Sequence, residues 1–195
     1  MSRADAVAMG VFVFAGAAIA AWTVWHTMAR ITELIGGTDV EVLVEFMGTP
    51  VEASLSGSTV PVALTSGVVT VPQLNSGAIS YGVIGEVAFA VTVVTIVTCL
   101  IALSRELQRG RVFGTRSTVL VMTAGITGLV GFTASDFFAS LHANSAMFQL
   151  VDGPTEIALI TAEPFTFVLA AFAVAVVGSV FVVGARLQRE TEGLV

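Results

Sequence analysis

Three ionisable residues lie near the ends of long apolar runs: His26, Glu86 and Asp136. Ionisable groups at membrane depth are costly and are often functional. These three could form an ion or proton site at the outer mouth of a helix bundle. The alternatives are interfacial charges that reach water, or an ion pair between Glu86 and Arg30. The centres of the apolar runs carry no charge, which argues against a proton relay or an ion-coupled transporter.

Motifs for catalysis and cofactor binding are missing from the sequence. It has no Walker A, G-x-G-x-x-G or G-x-S-x-G pattern. His26 and His142 are its 2 histidines, and neither has a Cys, His or carboxylate at metal-ligand spacing. Because no nucleophile and base are brought together, the sequence predicts no enzyme, no cofactor and no metal site.

Four apolar runs must position the ionisable residues. They contain 24, 18, 19 and 22 consecutive residues without a charge. A helix needs about 20 apolar residues to cross a bilayer core about 30 Å thick. We therefore expect a membrane α-helical protein with four transmembrane helices. The predicted transmembrane helices are 6–29, 82–104, 117–139 and 164–185.

The composition agrees with a polytopic membrane protein. Of the residues, 55% are hydrophobic and 11% are charged, whereas soluble domains carry about 25% charged residues. The net charge of −6 gives no basic footprint for direct nucleic-acid binding. Cys99 is the 1 cysteine, so the chain cannot form an internal disulfide.

The first apolar run also contains a signal-peptide feature, because Ala18-Ile19-Ala20 has the A-x-A form of a cleavage site. However, the run remains apolar through Trp25, and Arg3 is offset by Asp5. We therefore expect 6–29 to be a retained helix.

The arginines predict the orientation, since loops on the cytoplasmic side are enriched in basic residues. All 8 basic residues are arginine. The loop 105–116 holds 4 of them, the tail 186–195 holds 2, and Arg3 lies at the N-terminus. With both termini cytoplasmic, only Arg30 falls outside. We therefore expect a multi-pass protein of the cytoplasmic membrane, with its acidic segments on the outer side.

Residues 37–80 predict a small extracytoplasmic antiparallel β unit between helices one and two. The residues Val40, Val42, Val44 and Phe46 alternate with Asp39, Glu41, Leu43 and Glu45, and this period of two is typical of a half-buried strand. The pattern predicts four short strands, with a hairpin turn at Ser56-Gly57-Ser58. This unit is too small to hold much core of its own, so we expect it to pack on the outer helix ends or on a partner.

The second outer segment, 140–163, contains a turn signal at Val151-Asp152-Gly153-Pro154. The sequence leaves open whether this segment forms a second hairpin or extends the third helix.

The stretch LSRELQRGRVF at 103–113, with Leu120 and Gly125 beyond it, resembles the loop of a bacterial membrane family called domain of unknown function 2975. The ending GARLQRETEGLV at 184–195 is similar to that of actinobacterial members. The resemblance covers helices two to four best and does not extend to the β unit. It implies a bacterial protein without an established activity. Some members are encoded beside small helix-turn-helix regulators, which implies a membrane-bound partner for a transcription factor.

The loop 105–116 is the predicted partner-binding surface. Its predicted contact residues are Arg105, Arg109, Arg111, Phe113 and Arg116. The same arginines also predict attraction to anionic lipid, worth about 1 kcal/mol each.

The sequence leaves three functions open. The first is a non-enzymatic membrane protein that relays an outer signal to a cytosolic regulator, or sequesters that regulator. The second is a structural or accessory subunit of a larger membrane complex. The third is a small-molecule channel or transporter component. The expected partners are the lipid bilayer and either a cytosolic helix-turn-helix regulator or other membrane subunits.

Overall fold

A computed structural model describes residues 3–55, 58–108, 114–150 and 164–192 of the chain. Over these residues the protein is mostly helical, with a two-stranded antiparallel sheet between the first and second helices. This confirms the helical class and the antiparallel β unit. The elements are α1 (Arg3–Gly36), β1 (Thr38–Leu55), β2 (Ser58–Gln73), α2 (Ser76–Gln108), α3 (Thr115–Met147) and α4 (Pro164–Glu192).

The first three helices are longer than a membrane crossing requires. α1 has 34 residues, and α2 and α3 have 33 each. At 1.5 Å per residue each is about 50 Å long, so it extends well past a bilayer core of about 30 Å. Three segments are long and apolar enough to cross a membrane: Gly10–Gly36, Ser76–Glu106 and Thr115–Met147. α4 contains a shorter apolar segment, Ala170–Gly184, so the length and composition of the described helices fit a multi-pass membrane protein.

Local sequence explains where α1 ends and α2 begins. Gly37 has a φ of 64°, a left-handed conformation that glycine adopts without strain just after a helix. Asn75 caps α2, because its side-chain Oδ1 accepts a hydrogen bond from the Ala78 backbone N–H at 2.6 Å. The two ends are joined by the Leu74 N–H, which donates to the Gly37 carbonyl oxygen at 2.9 Å.

The chain divides into two compact units. The span unit comprises 1–28, 87–134 and 163–195. The hairpin unit comprises 29–86 and 135–162, and it contains β1 and β2. α1, α2 and α3 each contribute residues to both units.

Small residues set the helix packing inside the span unit. A Cβ added at Gly131 would lie 2.9 Å from Thr92 Cβ, and one added at Gly125 would lie 2.7 Å from Val174 Cγ1. Such distances leave no room for a side chain, so these glycines allow close approach of neighbouring helices. Close approach through small residues is the main source of helix association in lipid, where apolar burial no longer drives it.

The β unit is one long hairpin rather than the four short strands that the sequence predicted. β1 has 18 residues and β2 has 16. Their pairing runs from Thr38↔Gln73 to Leu55↔Ser58, and the predicted turn falls on Ser56 and Gly57, outside the described residues. The register shifts between Glu45 and Thr49, where Phe46–Gly48 stand opposite Thr65 alone. At this bulge β1 continues past Gly48 and Pro50, at which the sequence pattern predicted a break.

The base of the hairpin is built into the ends of three helices. Val40, Val42 and Val44 of β1 are buried, because alternate residues of a strand point to one face. They form a core with Val71, Leu74 and residues of α1, α2 and α3. The helix residues in this core are Leu34, Ala78, Ala146 and Met147. The β unit therefore packs on helix ends, which is one of the two arrangements that the sequence left open.

The segment after the third span is helical at its start. α3 continues to Met147, and Phe148, Gln149 and Leu150 follow it as a turn. This is the helical extension that the sequence left open. The predicted turn at Val151–Pro154 and the strand beyond it lie outside the described residues.

Candidate functional site

A charged group joins α1 and α2 within the hairpin unit. Arg30 Nη1 lies 2.7 Å from Glu33 Oε2, and Arg30 Nε lies 3.9 Å from Glu86 Oε1. All three side chains are partly exposed, so the pairs are weak and solvent-screened. The structure therefore places Glu86 beside the one arginine that was expected outside the membrane.

A buried histidine packs on the same side of α2. Ala78, Gly82 and Glu86 recur every four residues and so follow one another along one side of the helix. His142 Nδ1 lies 2.8 Å from the Ala78 carbonyl oxygen, so this nitrogen carries the proton and donates it. Gly82 makes the contact possible, because a Cβ there would lie 2.9 Å from Nδ1.

The second nitrogen of His142 is buried and has no hydrogen-bond partner among the described residues. With Nδ1 protonated, Nε2 is an acceptor. Arg30 and Glu86 are the charged groups that act electrostatically on this ring. The side chain therefore holds α3 against α2 through one hydrogen bond.

The other two residues of the predicted polar site are exposed. His26 lies on α1 in the span unit, and Asp136 lies on α3 in the hairpin unit. In the structure, Glu86 therefore has Arg30 as a charged neighbour, whereas His26 and Asp136 are exposed on their helices.

The predicted partner loop is described at its two ends. Arg105 is exposed at the end of α2. Arg116 Nη1 lies 3.1 Å from Glu106 Oε1, with 70% of the Arg116 side chain exposed and only 4% of the Glu106 side chain. The pair ties the end of α2 to the start of α3. Arg109, Arg111 and Phe113 lie outside the described residues.

Two residues of interest carry little signal in the sequence. Glu106 has a buried carboxylate, and its only sequence signal is that it interrupts a run of arginines. His142 lacks metal-ligand spacing, and its contact with Ala78 joins residues 64 positions apart. Interactions at such separation leave no local pattern in a sequence.

Among the residues that the structure describes, His, Cys, Asp and Glu form no group of 3 or more able to hold a metal ion. What the described geometry does provide is a hairpin fixed to helix ends and a charged pair at the opposite ends of α2 and α3. Comparison with family models, with curated proteins and with solved structures gives no match to this chain.

Proposed function

We propose that the protein is a non-enzymatic, multi-pass protein of the bacterial cytoplasmic membrane that relays an outer contact to a cytosolic regulator. All four helices would cross the bilayer, with both termini in the cytoplasm. The arginine distribution supports this orientation, because it leaves 7 of 8 arginines inside. The hairpin would then lie outside, and the loop 105–116 would lie inside.

The shared core of the hairpin unit carries the proposal. Val42 of β1 and Val71 of β2 are buried in the same cluster as Leu34 of α1, Ala78 of α2 and Ala146 of α3. Closely packed cores do not deform continuously and instead switch between discrete packings. A partner that displaces the hairpin would therefore shift the helix ends that share this core.

The inner ends of the same helices support the other half of the relay. Glu106 and Arg116 connect α2 to α3 across the loop, while Arg105 is exposed beside them. A change in the spacing of these two helices would act directly on the Glu106–Arg116 pair. The exposed arginine would then be available to an acidic surface of a cytosolic protein.

In-cell crosslinking followed by a pull-down tests the relay. The intact protein should recover a cytosolic regulator, and replacing 104–116 by a neutral linker of equal length should abolish the recovery. The matched variant keeps the loop and replaces 41–70 by a short Gly-Ser turn, which should change the amount recovered. Recovery that is unaffected by loop replacement would overturn the relay.

A subunit of a larger membrane complex is the second candidate, and the long hairpin favours it. β1 and β2 continue as a ladder for seven further residue pairs beyond the bulge, from Thr49↔Leu64 to Leu55↔Ser58. Recovery of other membrane subunits that survives loop replacement but not hairpin replacement would support this function over the relay.

We also propose that the chain belongs to the family called domain of unknown function 2975. The stretch 103–113 and the ending 184–195 support it. The partner it implies is a small helix-turn-helix regulator, so finding such a protein in the loop-dependent pull-down would support both proposals.

A further inference from the structure

The two faces of the hairpin differ in what covers them. Alternate residues of a strand share a face, and residues paired across an antiparallel sheet lie on the same face. Val69 and Val71 of β2 therefore share the face that packs on the core. Residues at even-numbered positions of β2 lie on the opposite face, together with Leu43, which pairs with Val68.

That opposite face carries four exposed apolar residues, together with the exposed polar residues Glu41, Ser66 and Thr70. Val60 and Val62 are 42% and 43% exposed, Leu43 is 65% exposed and Val68 is 61% exposed. A sheet with one face on a core normally turns polar residues to water. These four residues, which we call the uncovered stripe, therefore depart from the expected pattern along most of the hairpin.

The bulge separates two halves of this pattern. On the helix side of it, the apolar residues of β1 are Val40, Val42 and Val44 on the core side, with Leu43 as the exception. Beyond it, Val60 and Val62 of β2 lie on the stripe's face. The hairpin thus reverses its apolar face, and a core beneath the base does not explain the apolar residues of the far half.

The charge of the hairpin limits what can cover the stripe. Thr38–Gln73 contains 4 acidic residues and no Lys, Arg or His. Glu41 lies two residues from Leu43 on the same face and is exposed. The stripe's face is therefore apolar beyond the bulge, at Val60 and Val62, and partly polar and acidic near the helices.

We propose that the uncovered stripe docks a different protein, whose contact segment places apolar side chains on the valines and a Lys or Arg beside Glu41. This inference rests on the proposed function, because it needs the hairpin outside the membrane. A second copy of this chain fits less well. Two copies in one membrane meet about an axis along the membrane normal, which brings Glu41 of each against Glu41 of the other. Anionic lipid headgroups would meet the same repulsion.

Site-specific photocrosslinking in living cells tests the docking. A photoreactive residue replaces Leu43 or Val62 on the stripe, and Glu52 on the other face as the matched control; Glu52 pairs with Pro61 and is exposed. We expect adducts to one further protein from positions 43 and 62 and not from 52. The crosslinked peptide, sequenced by mass spectrometry, should contain Lys or Arg.

Charge variants sharpen the test. With the probe at position 43, Glu41→Gln should lower the adduct yield about tenfold, as the loss of about one charge pair would. Glu52→Gln should leave the yield unchanged. Adducts of twice the chain mass, adducts to lipid, or equal yields with the Gln variants would overturn the inference.

The control position separates this inference from the proposed function. Protein adducts from position 52 but not from 43 or 62 would show that a partner contacts the hairpin through its other face. This result would overturn the proposal that the partner docks on the stripe. A loop-dependent pull-down that fails while the stripe adducts form would overturn the relay alone.

Discussion

The two units of this protein hold their side chains together by different means. In the hairpin unit, nine hydrophobic residues form a cluster buried from solvent, as in a water-soluble domain. In the described part of the span unit, Cys99 alone among the hydrophobic residues is buried, while Phe14, Trp22, Val130 and Val180 are more than half exposed. The proposed topology accounts for this difference. With the hairpin outside the membrane and the helices within it, water would drive apolar side chains into a core, whereas lipid would solvate them and leave close backbone contact to hold the helices.

The largest effect is expected from the hairpin core. Leu34→Ala removes a side chain that is 2% exposed, and it should cost about 2–5 kcal/mol of stability because a cavity remains. Ile35→Ala is the matched control, since Ile35 is the next residue of α1 and is 65% exposed. Limited proteolysis of the hairpin in the purified, detergent-solubilised protein measures both. If the hairpin is cleaved equally fast in the two variants, the buried cluster does not stabilise the hairpin unit.

A smaller effect is expected from the glycines of the span unit. Gly131→Ala forces a Cβ to within 2.9 Å of Thr92 Cβ and should cost about 1–3 kcal/mol through overpacking. Gly10→Ala meets nothing within 4 Å and should be neutral or slightly stabilising, because alanine favours a helix. Thermal unfolding in detergent compares the two. If Gly131→Ala is as stable as Gly10→Ala, close packing does not hold this unit.

The buried carboxylate at the loop comes next. Arg116→Ala removes a charged hydrogen-bond donor from Glu106, whose side chain is 4% exposed, at a cost of about 1–2 kcal/mol. Arg105→Ala, at the exposed neighbouring position, should change stability by less than about 0.5 kcal/mol. Hydrogen exchange at the end of α2 reports the loss locally. Similar protection in the two variants would show that the pair contributes nothing.

The smallest effect is expected from the exposed ion pairs. Arg30→Gln breaks the contacts with Glu33 and Glu86, and it should cost at most about 1 kcal/mol because all three side chains are partly solvated. The difference from the unmodified protein should shrink as salt rises, since salt screens exposed charges. A difference that persists in about 1 M salt, where screening acts within about 3 Å, would mean that Arg30 contributes by packing.

Much of the helical plan follows from the sequence, because apolar runs of about 20 residues without a charge are typical of membrane helices. The helix ends were harder to predict. α1 continues through Arg30 and Glu33 to Gly36, where the apolar signal has already stopped. The end of α1, residues 30–36, is helical because Leu34 packs into the hairpin core, where it contacts residues far along the chain.

The β unit shows what local patterns hide. Alternation identifies Val40–Val44 as part of a strand, and these residues lie in β1. Gly48 and Pro50 predict the end of that strand, although pairing resumes at Thr49 after the bulge. A bulge has no period of its own, so only the partner strand reveals that two short patterns form one strand. For the same reason, the reversal of the apolar face became visible only with the register.

The bulge also constrains how the hairpin tolerates changes in length. Phe46–Gly48 stand opposite a single residue of β2, so β1 carries an even number of extra residues. Adding or removing one residue there would place every following residue of β1 on the opposite face. Removal would put Glu52 opposite Val62, and addition would put Pro50 there. Variation in the length of this segment should therefore occur in steps of two residues, because only an even change keeps each following residue of β1 on its own face of the sheet.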